Sequence, residues 1–221
     1  MKEIRLYNVL PDVFAKANAQ KADDRLNNSD VWMRDVVFEK GNTYLLEANS
    51  GTGKSSLCSY IFGYRKDYQG QICFDGKDIA SLSTKALVKI RQSSLSLLWQ
   101  ELRLFPELTA MENVRIKNNL THHQTQQQID GWFERLGIAD RKDYKIGNMS
   151  FGQQQRVAMI RALCQPFDFL FADEPISHLD DINSKVMADV MMEEAKRQGA
   201  GVIVTSIGKH MELDYNRRMT L

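Results

Sequence analysis

The stretch EANSGTGKSS, residues 47–56, constrains this chain more than any other part of its sequence. It fits the later positions of the phosphate-binding pattern G-x-x-x-x-G-K-[ST], in which small residues let backbone N–H groups converge on phosphate oxygens. A strand-like segment, TYLLEA, precedes the glycines, and a helical pattern, KSSLCSYIF, follows them. This order brings the positive end of a helix to a bound anion. The stretch therefore predicts a nucleotide phosphate site.

Each residue type in this loop has a chemical task at a nucleotide. Lys54 supplies a cation for the β- and γ-phosphates, and Ser55 supplies a hydroxyl for Mg²⁺. Ala48 replaces the first glycine of the pattern, which costs little if its φ stays below zero. A chance Gly-Lys-Ser turn is the alternative, and the flanking patterns argue against it. We expect the nucleotide to contact Asn49, Ser50, Gly51, Thr52, Gly53, Lys54, Ser55 and Ser56.

Apolar patterning along the chain favours an α/β fold. Short apolar runs, typical of strands covered on both faces, occupy 95–100, 168–173 and 201–206. Other strand-like segments are 3–9, 32–39, 43–48 and 70–76, and helical patterns cover 54–62, 152–164 and 183–198. From about 82 to 155 the chain is mostly helical and polar, which predicts a helical subdomain inserted into the α/β core. We expect residues 1–221 to form a single domain with this insertion.

Composition argues against several other classes of protein. The formal net charge is +1, so no direct nucleic-acid partner is expected. Three scattered cysteines indicate neither a disulfide framework nor a zinc site. No run of about eighteen apolar residues occurs, and the charged start MKEIRLYNVL is unlike a signal peptide. The polar stretch 16–30 is expected to be a surface loop. Any role at a membrane must then come through a partner.

Four further motifs follow one another between residues 95 and 180. LLWQELRLFPELTAMENV contains Gln100, MSFGQ covers 149–153, FLFADE ends in Asp173 and Glu174, and SHLD covers 177–180. In order and spacing they resemble the Q-loop, the signature L-S-G-G-Q, the Walker B strand and the D-loop of the ATP-binding-cassette family. The resemblance covers essentially the whole chain. It implies a P-loop NTPase core with a mostly parallel sheet, an N-terminal antiparallel β portion and the inserted helical subdomain.

The same resemblance implies roles for single residues. Asp173 would hold Mg²⁺ through water, and Glu174 would act as the general base on the attacking water. Gln100 would touch Mg²⁺ or its water and link the nucleotide site to the helical subdomain. Ser150, well placed to cap a helix, Gly152 and Gln153 would contact the γ-phosphate of ATP held by the other subunit. The family's active unit is a head-to-tail dimer with ATP and Mg²⁺ at its interface.

Two assignments stay open between function and packing. An aromatic residue near the N-terminus usually stacks on adenine in this family; Phe14 and Tyr7 are candidates, and we favour Phe14 over its alternative as a core residue. Leu102, Leu104 and Phe105 either line a groove for a membrane partner or form the core of the subdomain. The sequence does not decide between these two readings.

The chain departs from the family pattern at two further positions. Where the family has a switch histidine after the last core strand, this chain has Ser206, and His210 comes four residues later. Losing one donor to developing charge costs about 100- to 1000-fold in rate. Three readings follow. Ser206 substitutes weakly for the histidine, or the loop bends so that His210 comes back to the site. In the third reading the protein hydrolyses ATP slowly and works mainly through ATP-driven dimerisation. Phe151 replaces the first signature glycine and is expected to alter dimer contacts rather than abolish binding.

These motifs predict an ATP-binding and hydrolysing subunit of an ABC transporter. It would dimerise with itself or a similar subunit around ATP and drive a separate transmembrane permease from the inner face of the cell membrane. LFPELTAMENV is similar to the subgroup of lipoprotein-release, macrolide-efflux and cell-division ATPases. The alternatives are an ATP-sensing or mechanotransmitting regulatory subunit, motivated by Ser206, and a soluble ABC-type ATPase not tied to transport. Transported substrate and direction are not encoded in these motifs.

Overall fold

The computed structural model describes residues 1–18, 28–49 and 51–221. Its strands are Glu3–Pro11 (β1), Asp35–Glu39 (β2), Thr43–Glu47 (β3), Tyr68–Phe74 (β4), Lys77–Asp78 (β5), Leu95–Leu98 (β6), Phe169–Asp173 (β7), Gly201–Ser206 (β8) and Arg217–Thr220 (β9). Its α-helices are Asp12–Asn18 (α1), Lys54–Ile61 (α2), Thr84–Ser93 (α3), Ala110–Asn118 (α4), Gln126–Arg135 (α5), Phe151–Leu163 (α6) and Asp181–Arg197 (α7).

A parallel sheet of order β6-β7-β8-β3-β9 forms the centre of the molecule. β7 and β8 are buried at every position, as expected for strands covered on both faces. β8 lies between β3 and β7, so the ends of these three strands meet at one edge. Ligands in open parallel sheets bind at this carboxyl edge. The α/β class and the mostly parallel sheet predicted from the sequence are confirmed.

A second, antiparallel sheet has the order β2-β1-β4-β5. The pairing of β1 with β4 shifts register between Tyr7 and Leu10. Gly70 lies opposite this irregularity, where a Cβ would stand 2.4 Å from two carbonyl oxygens of β1. Only glycine fits there, which explains how β4 follows the bulged strand so closely. This sheet is the antiparallel β portion that the resemblance implied.

Two clusters of buried apolar side chains hold these layers together. One lies between the antiparallel sheet, α2 and one face of the parallel sheet, and includes Trp32, Tyr60 and Phe171. The other joins the opposite face of the parallel sheet to α4, α5, α6 and α7, and includes Trp132 and Met187. Because α6 belongs to the second cluster, the helix packs against the core that carries β7.

The region from 82 to 155 contains one strand and several helices, and the strand-like run at 95–100 is confirmed as a strand. β6 lies inside it and pairs with β7 in the parallel sheet. After Gln100 the described elements are α4, α5 and the start of α6, with short 3₁₀ turns at Ala139–Arg141 and Ile146–Asn148. Capping residues Thr109 and Thr125 start α4 and α5. The boundaries of an inserted helical subdomain remain a prediction.

The stretch 16–30, expected to be a surface loop, is only partly described. Residues 16–18 end α1 instead of lying in a loop, and Ser29 is buried. The Ser29 hydroxyl accepts hydrogen bonds from the N–H groups of Val31 and Trp32, at 3.1 and 2.9 Å. Residues 19–27 fall outside the described part of the chain. The prediction of a surface loop was therefore wrong for 16–18, whereas 28–30 lie outside helices and strands, with Asn28 and Asp30 exposed as predicted.

No helix within residues 1–18, 28–49 and 51–221 is long and apolar enough to cross a membrane.

Candidate functional site

The phosphate-loop sequence lies between the end of β3 and the start of α2. Gly51 and Gly53 have φ values of 82° and 98°, which other residues rarely adopt. The Asn49 carbonyl accepts hydrogen bonds from the N–H and the hydroxyl of Thr52, at 3.4 and 2.9 Å. No side-chain cap closes the start of α2, within the described residues. Ser50, also expected to contact nucleotide, lies outside the described residues.

The side chains at the start of α2 point in different directions. Lys54 is buried, and its Nζ lies 3.3 Å from Oε1 of Glu174. Ser55 is exposed and donates a hydrogen bond of 3.2 Å to Oδ2 of Asp173. The Ser56 hydroxyl accepts a hydrogen bond of 3.0 Å from Arg65, which holds it beside that guanidinium. The structure therefore brings Lys54 and Ser55 to the acidic pair.

Asp173 ends β7 directly opposite Thr205 of β8. The Thr205 hydroxyl donates to Oδ1 of Asp173, and Ser55 donates to its other oxygen. Asp173 is only 1% exposed. Burial raises the pKa of this carboxyl, and the two hydroxyl donors oppose that rise. Because burial disfavours the charged form of this carboxyl, a cation bound beside it would stabilise the carboxylate.

Glu174 follows in a left-handed conformation with φ of 49°. Such a conformation costs a non-glycine residue about 1–3 kcal/mol. Its N–H donates to the Thr205 carbonyl at 3.1 Å, and its own carbonyl accepts from Nε2 of Gln155 at 3.3 Å. The contact with Lys54 has ion-pair distance without hydrogen-bond geometry, so Oε1 has no hydrogen-bond partner among the described residues. The backbone is fixed while the carboxylate keeps an acceptor free.

These oxygens fit the chemistry of Mg²⁺. The Ser55 hydroxyl and the Asp173 carboxylate already touch, and Mg²⁺ in nucleotide sites takes one or two protein oxygens with the rest from phosphates and water. Glu174 follows Asp173 in the chain, and its Oε1 has no hydrogen-bond partner among the described residues. Gln100, the third expected ligand, is exposed at the end of the β6 segment. The residues present are therefore compatible with a magnesium-bound triphosphate.

The signature segment starts α6, and its polar groups bond to one another. The hydroxyl of Ser150 accepts from the N–H of Gln153 at 3.3 Å, and Oε1 of Gln153 accepts from the N–H of Ser150 at 2.9 Å. This is a capping box. Gly152 passes close to the D-loop segment, since a Cβ there would meet the Leu179 side chain at 3.2 Å. Ser150 therefore caps the start of α6, as the sequence predicted.

Phe151 and His178 form an aromatic contact beside this helix start. Phe151 is 42% exposed, and its ring centroid lies 4.4 Å from that of His178 in an edge-on arrangement. The substituted signature position therefore contacts the D-loop segment of the same chain. Because the ring is half exposed, it also contributes apolar surface to the face that carries Ser150.

The segment after Gln100 has two consecutive residues with left-handed backbones. Leu102 and Arg103 have φ values of 58° and 50°, and Arg161 of α6 donates to both of their carbonyl oxygens. Burial lowers the pKa of Arg161 to about 10. Leu102 is in the core, and Phe105 is half exposed. Leu102 therefore fits the reading as subdomain core, whereas the exposed part of Phe105 fits the reading as the lining of a groove.

Ser206 ends β8, and its side chain faces inward. It is 2% exposed, and its hydroxyl donates to the Lys209 carbonyl at 2.6 Å. The Lys209 ammonium reaches the Leu179 carbonyl at 3.1 Å and Asp181 at 2.8 Å. His210 is half-buried, and its Nδ1 has no hydrogen-bond partner in the described residues. In this conformation neither Ser206 nor His210 offers its donor to the acidic pair.

The two aromatic candidates for adenine stacking lie in different places. Phe14, on α1, is 8% exposed, and its ring approaches the phosphate loop at Gly53. Tyr7, on β1, is half-buried in the antiparallel sheet beneath the Arg5 guanidinium. Phe14 is thus the candidate next to the loop. Its role in stacking remains a prediction.

Three residues that contact the site were not singled out from the sequence. Thr205 and Gln155 hold the acidic pair, and Trp32 contacts the phosphate loop. Each comes from an element far away in sequence, so its position depends on the order of the strands in the sheet. The threonine of VIVTS immediately before Ser206 was the available signal for Thr205. No pattern in the sequence marked Gln155 or Trp32.

A glycine-rich turn that leads into an uncapped helix start, beside an acidic pair with a buried aspartate, is the arrangement of a P-loop nucleotide-binding protein. A sequence profile described as ABC transporter matches residues 34–177, more than half of the chain. The chain is 30% identical over 175 residues to the ABC transporter ATP-binding protein YbbA of Escherichia coli (strain K12), which covers 78% of this chain and 77% of that protein. The methionine import ATP-binding protein MetN of Haemophilus ducreyi is 32% identical over 173 residues, 76% of this chain and 50% of that protein.

The fold is also that of a solved ATP-binding cassette. The dimeric post-hydrolysis structure of MJ0796, bound to ADP and Pi, matches with a TM-score of 0.75 at 23% identity, over 92% of this chain and 87% of that one. The chain therefore belongs to the ABC transporter family, and it is one of that family's ATP-binding ATPase subunits. The family recognised from the motifs is confirmed.

Proposed function

We propose that this chain hydrolyses Mg-ATP at the dimer interface of an ABC transporter and thereby drives a separate membrane-spanning permease. The observation that carries the proposal is the meeting of Lys54, Ser55, Asp173 and Glu174 at one edge of the parallel sheet. One cation, one hydroxyl and two carboxylates are the groups that phosphoryl transfer to water needs. The homologous MetN carries the description of an import ATP-binding protein, which supports coupling to transport.

In the proposed mechanism the phosphate loop binds the triphosphate and the acidic pair acts on water. Backbone N–H groups from Gly51 to the start of α2 surround the phosphates, and Lys54 leaves Glu174 to contact the β- and γ-phosphates. Ser55 and Asp173 would hold Mg²⁺, which neutralises charge on the phosphates. Glu174 then accepts a proton from the attacking water as a general base. Two hydrogen bonds hold the backbone of Glu174 at the carboxyl edge of the sheet.

The second half of the site is proposed to come from another copy of the chain or a similar subunit. Ser150 is exposed at the positive end of α6, which suits an anion that approaches from outside. The exposed ring of Phe151 adjoins it. Ser150, Gly152 and Gln153 would contact the γ-phosphate of the other subunit's ATP, with the roles of Gln100 and Phe14 as predicted. We place the complex at the inner face of the cell membrane, within the lipoprotein-release, macrolide-efflux and cell-division subgroup.

A regulatory subunit with weak hydrolysis is the second candidate. It is favoured by Ser206, whose hydroxyl is bonded to the Lys209 carbonyl and turned away from Glu174. A subunit of this kind would still bind ATP and dimerise, because neither step uses Ser206. It would release phosphate slowly even when its membrane partner is present. The two candidates therefore differ in turnover and agree in binding.

Turnover of Mg-ATP, measured with and without the co-purified membrane partner, tests both candidates. The ATPase predicts phosphate release that the partner stimulates and that Glu174→Gln abolishes. Binding without turnover, even with the partner, supports the regulatory subunit. Absence of Mg-ATP binding would exclude both candidates. Purification with ribosomes instead of a membrane protein would exclude coupling to transport.

A further inference from the structure

Trp32 is buried behind the phosphate loop and bonds to it. The residue lies shortly before β2, in a turn where the N–H groups of Val31 and Trp32 bond to the Ser29 hydroxyl. Trp32 is 1% exposed. Its indole Nε1 donates a hydrogen bond of 2.9 Å to the carbonyl oxygen of Thr52. An indole has a single donor, and here it is used on the loop itself.

This bond determines where the next N–H group points. The carbonyl of Thr52 and the N–H of Gly53 belong to the same planar trans peptide unit, so they point in opposite directions. A donor that fixes the carbonyl toward Trp32 therefore turns the Gly53 N–H away from Trp32. No hydrogen-bond partner for this N–H is present in the described part of the chain. The group remains available at the start of α2, where phosphates are expected.

Packing strengthens the same contact. A Cβ on Gly53 would lie 3.0 Å from Cζ2 of Trp32 and 3.4 Å from the Phe14 ring. At Gly51, by contrast, a Cβ would meet nothing within 4 Å. The loop thus rests against Trp32 at Gly53 and is open at Gly51. The two rings themselves meet edge-on, with centroids 6.4 Å apart.

We propose that Trp32 is a positioning residue for nucleotide binding, because its indole N–H orients the Thr52–Gly53 peptide so that the Gly53 N–H donates to a phosphate oxygen. The inference rests on the proposed function, since it needs ATP in this loop. A residue that only filled space would have no need of the indole nitrogen. Loss of the indole N–H should therefore weaken nucleotide binding even when the volume of the ring is kept.

The test compares Trp32→Phe with Trp132→Phe. Trp132 is also buried, on α5 in the other apolar cluster. The dissociation constant for Mg-ATP is measured by titration, together with thermal stability. We expect Trp32→Phe to weaken Mg-ATP binding by about threefold to tenfold, the effect of losing one hydrogen bond, with KM raised and kcat nearly unchanged. Trp132→Phe should lose stability without losing affinity.

A second variant removes the N–H while keeping the ring. Benzothienylalanine at position 32, introduced by amber suppression, replaces the indole N–H by sulfur and preserves the packing against Gly53. Weak binding by this variant supports the proposal even if Trp32→Phe fails to fold. Natural affinity in this variant would overturn it and leave Trp32 as packing. If the natural protein binds Mg-ATP no better than Lys54→Met does, the proposed function itself fails, which is a distinct result.

Discussion

The two helix starts expected to meet phosphates, at α2 and at α6, differ in how their first N–H groups are hydrogen-bonded. At α2 no side chain caps the first turn in the described residues, and the glycine before it has a left-handed backbone. At α6 the side chains of Ser150 and Gln153 satisfy each other's N–H groups. The start of α2 is therefore open to a ligand, and the start of α6 is partly closed by its own residues, which satisfy two of its N–H groups.

The difference indicates an order of events. An open start gains hydrogen bonds when an anion arrives, whereas a capped start must first exchange the bonds it already has. The phosphate loop should therefore bind ATP in a single chain. The signature start should engage only when a second chain brings a triphosphate to it. We therefore propose that dimerisation follows nucleotide binding and that hydrolysis reverses it.

Glu174→Gln is expected to have the largest effect and to show both starts occupied. Removing the general base should lower the rate of phosphate release by about 1000-fold. The amide keeps the shape of the side chain and no longer attracts Lys54, which is free to contact phosphate. Phosphate release and light scattering with Mg-ATP measure turnover and the dimer. A liganded variant that stays monomeric at every protein concentration would contradict the expected order.

Lys54→Met tests the open start alone. We expect Mg-ATP affinity to fall by about 100-fold, because the variant loses charge-assisted contacts in a buried setting. Lys66→Met, which removes an exposed lysine a few residues beyond α2, is the matched control and should bind ATP normally. Titration calorimetry gives both affinities. Equal, strong binding by the two variants would show that the α2 start does not hold the phosphates.

The sequence predicted the parts of this site that one segment specifies by itself. A glycine-rich turn between a strand and a helix, or an acidic pair after an apolar run, can be recognised without knowing the neighbours. Ser150 was recognised as a helix cap in the same way. The structure places these segments at the predicted strand and helix ends because apolar patterning and capping act over a few residues.

Contacts between distant segments were not predictable in this way. Thr205 reaches Asp173 only because β8 pairs with β7, and Trp32 reaches Thr52 only because the antiparallel sheet packs beside the loop. The helices between 82 and 149 also had weak signals, since their exposed faces are polar and their caps are common residues. The left-handed backbone of Glu174 depends on bonds from β8 and α6.

Two neighbouring hydroxyl residues on β8, Thr205 and Ser206, allow the metal site and the loop after β8 to be tested separately. Thr205→Val removes the donor to Asp173 at constant shape and should weaken activation by Mg²⁺ by about tenfold, since a hydrogen bond to a carboxylate is lost. Ser206→Ala removes a bond to the Lys209 carbonyl and should change turnover by less than about twofold. Turnover is measured against Mg²⁺ concentration. A larger loss in Ser206→Ala would mean that its hydroxyl turns toward phosphate during the reaction.

Ser150→Ala, in the Glu174→Gln background, should have a smaller effect than Thr205→Val, and it separates the capping role of Ser150 from its contact with phosphate. Losing the cap should cost about 1 kcal/mol of stability. Thr125→Ala removes the equivalent cap of α5 and should cost a similar amount. Only Ser150→Ala should also reduce the ATP-dependent dimer, by a few-fold, while the monomer keeps its affinity for ATP. Thermal unfolding and sedimentation measure the two effects. Equal dimerisation in both variants would make Ser150 a cap and nothing more, and the closed start of α6 would then have no part in binding the partner's nucleotide.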